Sequence, residues 1–212
     1  MTKALLLITS MLFSTAALAA DIGGHKIPDQ LTAADKQLML NGAGLRDKFM
    51  IDLYVGGLYL AEKSSDANAI IAADEPMALR LLIVSSRITS ENMTEATLEG
   101  FGHSLGDKQA AMQPKIEQFL AAFKEQIKEG DVFEMLYLPG DGVAVSKNEK
   151  NLDTIEGLDF KSALFGIWLG DPPAQKALKR ACSENEASDQ HGYYFSSSAC
   201  RNRIIGYTFI GN

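Results

Sequence analysis

The sequence is poor in the residues that most often carry chemistry. Its 212 residues include three histidines, two cysteines and one tryptophan. The histidines stand at positions 25, 103 and 191. None is paired at the spacing that puts two imidazoles on one helix face, so no metal site is expected. Cys182 and Cys200 form no C-x-x-C motif, which excludes a thioredoxin-like site and a cysteine zinc site. Basic residues are also short, 20 against 27 acidic, for a net charge of −7. An acidic surface repels phosphate backbones, so nucleic acid is excluded as a partner and anionic membrane surfaces are disfavoured. Past the first twenty residues no apolar run approaches the ~20 residues of a membrane span.

The N-terminus has what the rest lacks. Lys3, an apolar run from Ala4, and the small-residue site Ala17-Leu18-Ala19 read as a secretory signal peptide over residues 1–19. A membrane anchor is the alternative, but the run is short and broken by Thr9, Ser10, Ser14 and Thr15. No cysteine follows to accept a lipid. The expectation is export to the periplasm of a Gram-negative cell, with no integral membrane segment after cleavage. In an exported protein an even cysteine pair predicts a disulfide between Cys182 and Cys200, worth roughly 3 kcal/mol by loop closure. The chain then divides into the leader, one domain over residues 20–181, and a C-terminal extension over 182–212.

Along the domain, strand patterns come first. Residues 37–45 and 49–60 read as paired strands around a charged turn at Asp47-Lys48, with a short edge strand possible near residues 25–27. A helical turn is possible at 66–72, and residues 77–88 read as a central strand. The period then becomes helical. Thr89 and Ser90 can cap a helix whose one face is Met93, Ala96, Thr97, Gly100 and Phe101. A second helix shows Ile116, Phe119, Leu120, Phe123 and Ile127, with Pro114 in its first turn or kinking it. Strands return at 131–138, 143–146 and 151–155. Asp159 then caps a helix bearing Phe160, Ala163, Leu164, Ile167 and Trp168. Asp171-Pro172-Pro173 restarts a helix to about Ala181, and residues 204–210 are strand-like. Grouped strands, then helices, then the same again predict an α+β fold with helices on a mostly antiparallel sheet.

Three groups could carry chemistry. Gly102-His103-Ser104-Leu105-Gly106 matches G-x-S-x-G, the nucleophile turn of serine hydrolases. The residues before it have helical rather than strand period, and only His191 lies downstream as a base, so a helix end is the competing reading. Asp52 stands among apolar strand residues, either buried or at a solvent-facing edge. Arg46 and Tyr54 form the third. Arginine offers a planar fork of donors for a carboxylate or phenolate, and a tyrosine hydroxyl adds another hydrogen bond. Side chains alternate along a strand. A turn of Asp47-Lys48 alone therefore sends Arg46 away from Tyr54, whereas a wider or bulged turn brings both to one cleft.

Gly42-Ala43-Gly44-Leu45-Arg46, a strand ending Gly57-Leu58-Tyr59-Leu60, residues 90–95 opening a helix, and Trp168-Leu169-Gly170-Asp171-Pro172 together resemble the chalcone isomerase-like family over roughly residues 25–181. The resemblance implies an open β-sandwich, a large antiparallel sheet covered by a layer of helices with a ligand cleft between. In the plant isomerases the motif arginine binds the substrate's anionic oxygen, with a threonine, a tyrosine, an asparagine and a late hydroxyl residue. Those positions fall here at Tyr54, Thr89, Ala96 and Ile167, so only Arg46 is kept. Another branch of the family binds fatty acids through an arginine and a tyrosine, which Arg46 with Tyr54 resembles. The resemblance thus implies a non-catalytic protein without cofactor, which the leader places in the periplasm. It would bind a small amphipathic carboxylate such as a fatty acid at Arg46, Tyr54, Thr89 and Ile167. The alternatives are an isomerase (an intramolecular lyase of the chalcone-to-flavanone type) using Arg46 and Tyr54, and a serine hydrolase at Ser104. Nothing in the sequence identifies a protein partner.

Overall fold

The computed structural model describes residues 19–183 together with 187–188 and 194–195. Residues 1–18 of the leader, His191, the pairing of Cys182 with Cys200 and the segment 204–210 lie outside the described residues.

Strands β1 (Ala19–Ile22) and β2 (His25–Pro28) make a hairpin through Gly23 and Gly24. Strand β3 (Gln30–Ala33) then pairs with the first part of β4 (Lys36–Lys48). From β4 the sheet runs antiparallel through β5 (Ile51–Leu60), β6 (Met77–Ile83), β7 (Val132–Leu138), β8 (Gly142–Lys147) and β9 (Lys150–Ile155). The short helix α1 (Ala67–Ala72) joins β5 to β6, with Asp66 as its cap. Helices α2 (Ser90–Leu105) and α3 (Gln109–Leu120) join β6 to β7. Helices α4 (Leu158–Leu169) and α5 (Lys176–Ser183) follow β9. This is the expected α+β architecture, an antiparallel sheet with a layer of helices on one face.

Glycine and apolar residues bury β5 on both faces. Tyr54, Leu58 and Leu60 face the helices and join Phe101, Phe119, Phe160 and Leu164 in the main core. Val55 faces the other way, against Ile22 and Ile27 of the first hairpin. Tyr59 also faces away, and its hydroxyl donates to the Pro28 carbonyl at 2.8 Å. Helices α2 and α4 touch through small residues. A Cβ on Gly100 would lie 2.6 Å from Ile167 Cγ2, and Gly166 faces Ser104.

Two β-bulges decide which residues of the β4/β5 hairpin face the helices. Leu40 stands opposite Tyr59, but Gly42 stands opposite Leu58, so Asn41 is an extra residue in β4. Arg46 stands opposite Tyr54, but Asp47 stands opposite Asp52, so Leu53 is an extra residue in β5. Leu40 lies on the outer face with Tyr59. Without the extra residue at 41, alternation would put Gly42, Gly44 and Arg46 on that outer face too. Asn41 is buried, and its amide closes a pair of 2.9 Å hydrogen bonds with the backbone N–H and C=O of Ser64.

Several local expectations are corrected. The hairpin turn is Phe49-Met50, not Asp47-Lys48, with both residues at positive φ. The central strand stops at Ile83; the Val84 N–H still reaches the Leu53 carbonyl of β5, and Ser85, whose hydroxyl accepts from the Arg87 N–H, starts a loop. Helix α3 ends at Leu120 and a single 3-10 turn follows, with Pro114 inside α3. Gly157, not Asp159, caps α4; Asp159 sits in its first turn and pairs with Lys115 at 2.7 Å. Helix α5 begins at Lys176, later than the prolines.

A buried polar cluster ties α1 to the core. Lys161 of α4 is wholly buried, and its Nζ donates to the carbonyls of Ile70, Ile71 and Ala73 at 2.7, 2.9 and 2.7 Å. Beside it the Tyr137 hydroxyl donates to Asp74 Oδ1 at 2.5 Å. Burial first, and then the Asp74 carboxylate, push the Tyr137 phenol up to about 12. The unfolded phenol titrates near 10. The folded state therefore holds its proton more tightly, and the associated stability is full below pH 10 and lost as pH rises to 12. Two pH units correspond to roughly 3 kcal/mol. The urea midpoint should fall across that window, and Tyr137→Phe should remove this component of the fall. Lys161 acts in the opposite sense and lower, since burial pulls it from 10.5 to about 8 against the charge of Asp74.

Candidate functional site

Between the end of the β4/β5 hairpin and the helices lies a cleft of about 420 Å³. Each wall comes from a different element. The hairpin contributes Arg46, Lys48, Phe49, Ile51, Leu53 and Tyr54. Helix α2 presents Met93, Ala96, Thr97 and Gly100, with Glu99 and His103 at its exposed edge. Helix α4 gives Ile167 and Trp168, the loop after β6 gives Arg87 and Ile88, and the link to α5 gives Pro173 and Ala174.

The two bulges bring Arg46 and Tyr54 to this one cleft as direct cross-strand partners. Tyr54 is buried at its inner end, where the Trp168 indole N–H donates to the Tyr54 hydroxyl at 2.8 Å. Arg46 is half-buried nearer the mouth. Its Nη1 lies 3.4 Å from the Asp47 carbonyl, the outer limit of a hydrogen bond. Among the described residues no carboxylate forms an ion pair with Arg46, Lys48 or Arg87. Asp47, the nearest carboxylate in sequence, is taken by Gln175. The Gln175 amide donates to Asp47 Oδ1 and accepts from the Asp47 N–H at 3.1 Å. That clasp holds the hairpin against the link between α4 and α5.

The arrangement is an apolar slot with a cationic mouth and one arginine set within it. Chemically it suits a molecule with an apolar body and an acidic end, since the guanidinium fork can take a carboxylate through two hydrogen bonds. Its volume lies in the ordinary range for small-molecule sites.

Of the four residues expected to contact a ligand, Arg46, Tyr54 and Ile167 line the cleft. Thr89 does not line it. Its hydroxyl accepts from the Asn92 N–H, and the Asn92 amide accepts from the Thr89 N–H, a reciprocal cap on α2. Ala96, where the plant enzymes carry asparagine, is in the lining. Asp52 is exposed on the far side of the hairpin rather than buried. Ser104 lies within helix α2, not on a strand-to-helix turn, and its hydroxyl donates to the Ala163 carbonyl of α4 at 2.7 Å. It joins two helices and stands outside the cleft lining. Among the described residues no three His, Cys, Asp or Glu side chains group as metal ligands. No described helix is long and apolar enough to cross a membrane.

Sequence reasoning missed Lys48, Phe49, Arg87 and His103 as cleft residues. The helical face of Met93, Ala96, Thr97 and Gly100 was visible, and it is the face that forms the wall.

Residues 19–182 match a family model described as chalcone isomerase-like. Among curated proteins none matches the sequence. Among solved structures, a fatty-acid binding protein of Arabidopsis thaliana is similar to the chain with a TM-score of 0.66. That match covers 79% of this chain and 97% of the other at 19% identity, a likeness of fold alone.

Proposed function

The chain belongs to the chalcone isomerase-like family, and within it we propose a non-catalytic binding protein for a small amphipathic carboxylate such as a fatty acid. One observation carries the reading. Arg46 stands beside buried Tyr54 on one face of the hairpin, aimed into an apolar cleft and without an ion-pair partner among the described residues. A half-buried guanidinium in that position favours an anion over solvent.

Three further points support it. Where the plant enzymes place an asparagine and a late hydroxyl, the cleft has Ala96 and Ile167, which neither donate nor accept a proton. The Tyr54 hydroxyl is engaged by Trp168, which suits a fixed hydrogen-bonding post more than a proton carrier. The Arabidopsis protein of similar fold is described as binding fatty acids. The reading includes export: with the leader-like residues 1–19 removed, the protein would act in the periplasm.

Titration with decanoate by calorimetry tests the binding. We expect saturable binding by the wild-type protein. Arg46→Met, which keeps the apolar stem, should bind about tenfold or more weakly, because a charge-assisted hydrogen bond contributes about 1.5–3 kcal/mol. Absence of binding across fatty acids of several lengths, or equal binding by the variant, would overturn the assignment.

A further inference from the structure

The end of the β4/β5 hairpin is built against ordinary preference. Phe49 and Met50 are 84% and 98% exposed, far above any other large apolar side chain among the described residues. Both occupy the left-handed region, with φ of 54° and 61°. A two-residue hairpin turn with two positive φ values is normally filled by Asn-Gly, and bulky side chains there are strained. Exposure and strain fall on the same two residues, which points to a contact made elsewhere.

The position of the tip narrows that contact. Phe49 and Ile51 border the mouth of the cleft, with Lys48, Arg46 and Arg87 around them. The mouth is therefore locally basic on a chain whose net charge is −7. Three carboxylates also stand near the tip, none of them on the Lys48 side of the hairpin. Asp47 is bound to Gln175, Asp52 is on the far side of the hairpin, and Glu99 is across the cleft on α2.

We propose that the β4/β5 tip docks on an anionic lipid bilayer, with Phe49 and Met50 in the acyl boundary and Lys48 and Arg87 at the level of the phosphates. The cleft mouth then opens onto the membrane and loads its ligand from it. This loading step rests on the reading of the cleft as a site for an amphipathic acid. Two apolar residues are too small a patch for a stable protein interface, which needs ~800 Å² on each partner. Flanked by cations, they suffice for shallow and reversible lipid contact. Net charge argues against anionic membranes for the molecule as a whole, but attraction falls off within about 10 Å at moderate salt, so only groups near the tip act. Lys48 and Arg87 on the cleft side face the phosphates, and Asp47 and Asp52 on the hairpin's other side keep the contact shallow and reversible.

Co-sedimentation with vesicles of phosphatidylethanolamine and phosphatidylglycerol tests the proposal, using the full chain and Met50→Gly. Both proteins carry the same residues 1–18, so their difference reports the tip. Glycine suits this turn position, and Met50 does not line the cleft, so the variant should melt no lower and bind decanoate in vesicle-free buffer as wild type does. We expect its vesicle partitioning to fall about tenfold, the worth of one buried methionine, and wild-type partitioning to weaken in high salt. Equal sedimentation of the two proteins overturns docking. So does failure of the wild type to sediment, which leaves the tip to a protein contact. Decanoate binding without sedimentation means that docking fails and the cleft reading stands. Tip-dependent sedimentation without decanoate binding means the reverse.

Discussion

Lys161→Met is expected to destabilise the protein by about 3 kcal/mol, read as a fall in the urea midpoint at pH 7 with the slope unchanged. Methionine keeps the apolar stem, so the loss isolates the ammonium. That group meets the carbonyls of Ile70 and Ile71 in the last turn of α1 and of Ala73, its C-cap. A short helix leaves such carbonyls without partners, and the negative end of its dipole adds to the attraction for a cation. Nor can water easily take over, because Lys161 is fully buried and its Nζ lies 5.5 and 5.4 Å from the ring centres of Tyr137 and Phe165. The Ser162 hydroxyl still reaches Ile71, so two carbonyls, not three, would be left without a donor. At about 1–3 kcal/mol for each orphaned group the gross loss is about 2–6 kcal/mol, and relief of the burial cost that lowers the Lys161 pKa offsets part of it, which leaves the expected loss. An unchanged midpoint would mean that α1 relaxes and finds other donors.

Asn41→Leu should come next, at about 2–4 kcal/mol. The side chain is buried and its amide holds both backbone groups of Ser64, so leucine orphans an N–H and a C=O in one step. The same residue is the extra one in β4. Loss of its anchor therefore bears on the facing of every residue from Gly42 to Arg46. Chemical denaturation gives the stability change. Decanoate titration at a temperature where the variant stays folded should show weaker binding, although Asn41 is not in the cleft lining. A variant that loses stability but binds as wild type would show that the bulge persists without its anchor.

These two residues also mark where the sequence was legible and where it was not. The sheet and the helix layer were readable because residues 131–138 alternate and residues 90–105 change to helical period. Arg46 and Tyr54 could be singled out by residue type. Their mutual facing could not, because it depends on extra residues at Asn41 and Leu53. The run from Val55 to Leu60 is apolar on both faces and holds no alternation to reveal a slip. The turn was misplaced for a related reason. Asp47-Lys48 has turn-like composition, whereas Phe49-Met50 has none of the chemistry that positive φ normally demands. Lys161 was passed over because lysine reads as solvent-facing, and only the end of α1 explains its burial. Thr89 shows the converse. The sequence offered it both as a helix cap and, by resemblance, as a ligand contact, and the helix start takes it.

Helix α5 seats Leu178 in a trench made by two missing side chains. A Cβ on Gly44 would lie 3.1 Å from Leu178, and one on Gly56 would lie 3.4 Å from Leu178 and 3.6 Å from the Tyr54 ring. Leu178 is buried in the same core as Tyr54 and is not part of the cleft lining, so it backs the sheet from which Tyr54 projects. Gly44 and Gly56 thus serve the seat of α5 and not the ligand directly. Leu178→Ala would leave a void in that seat, at some cost in stability. The lining itself would keep every side chain it has, so the site depends on a helix that contributes nothing to its walls beyond support.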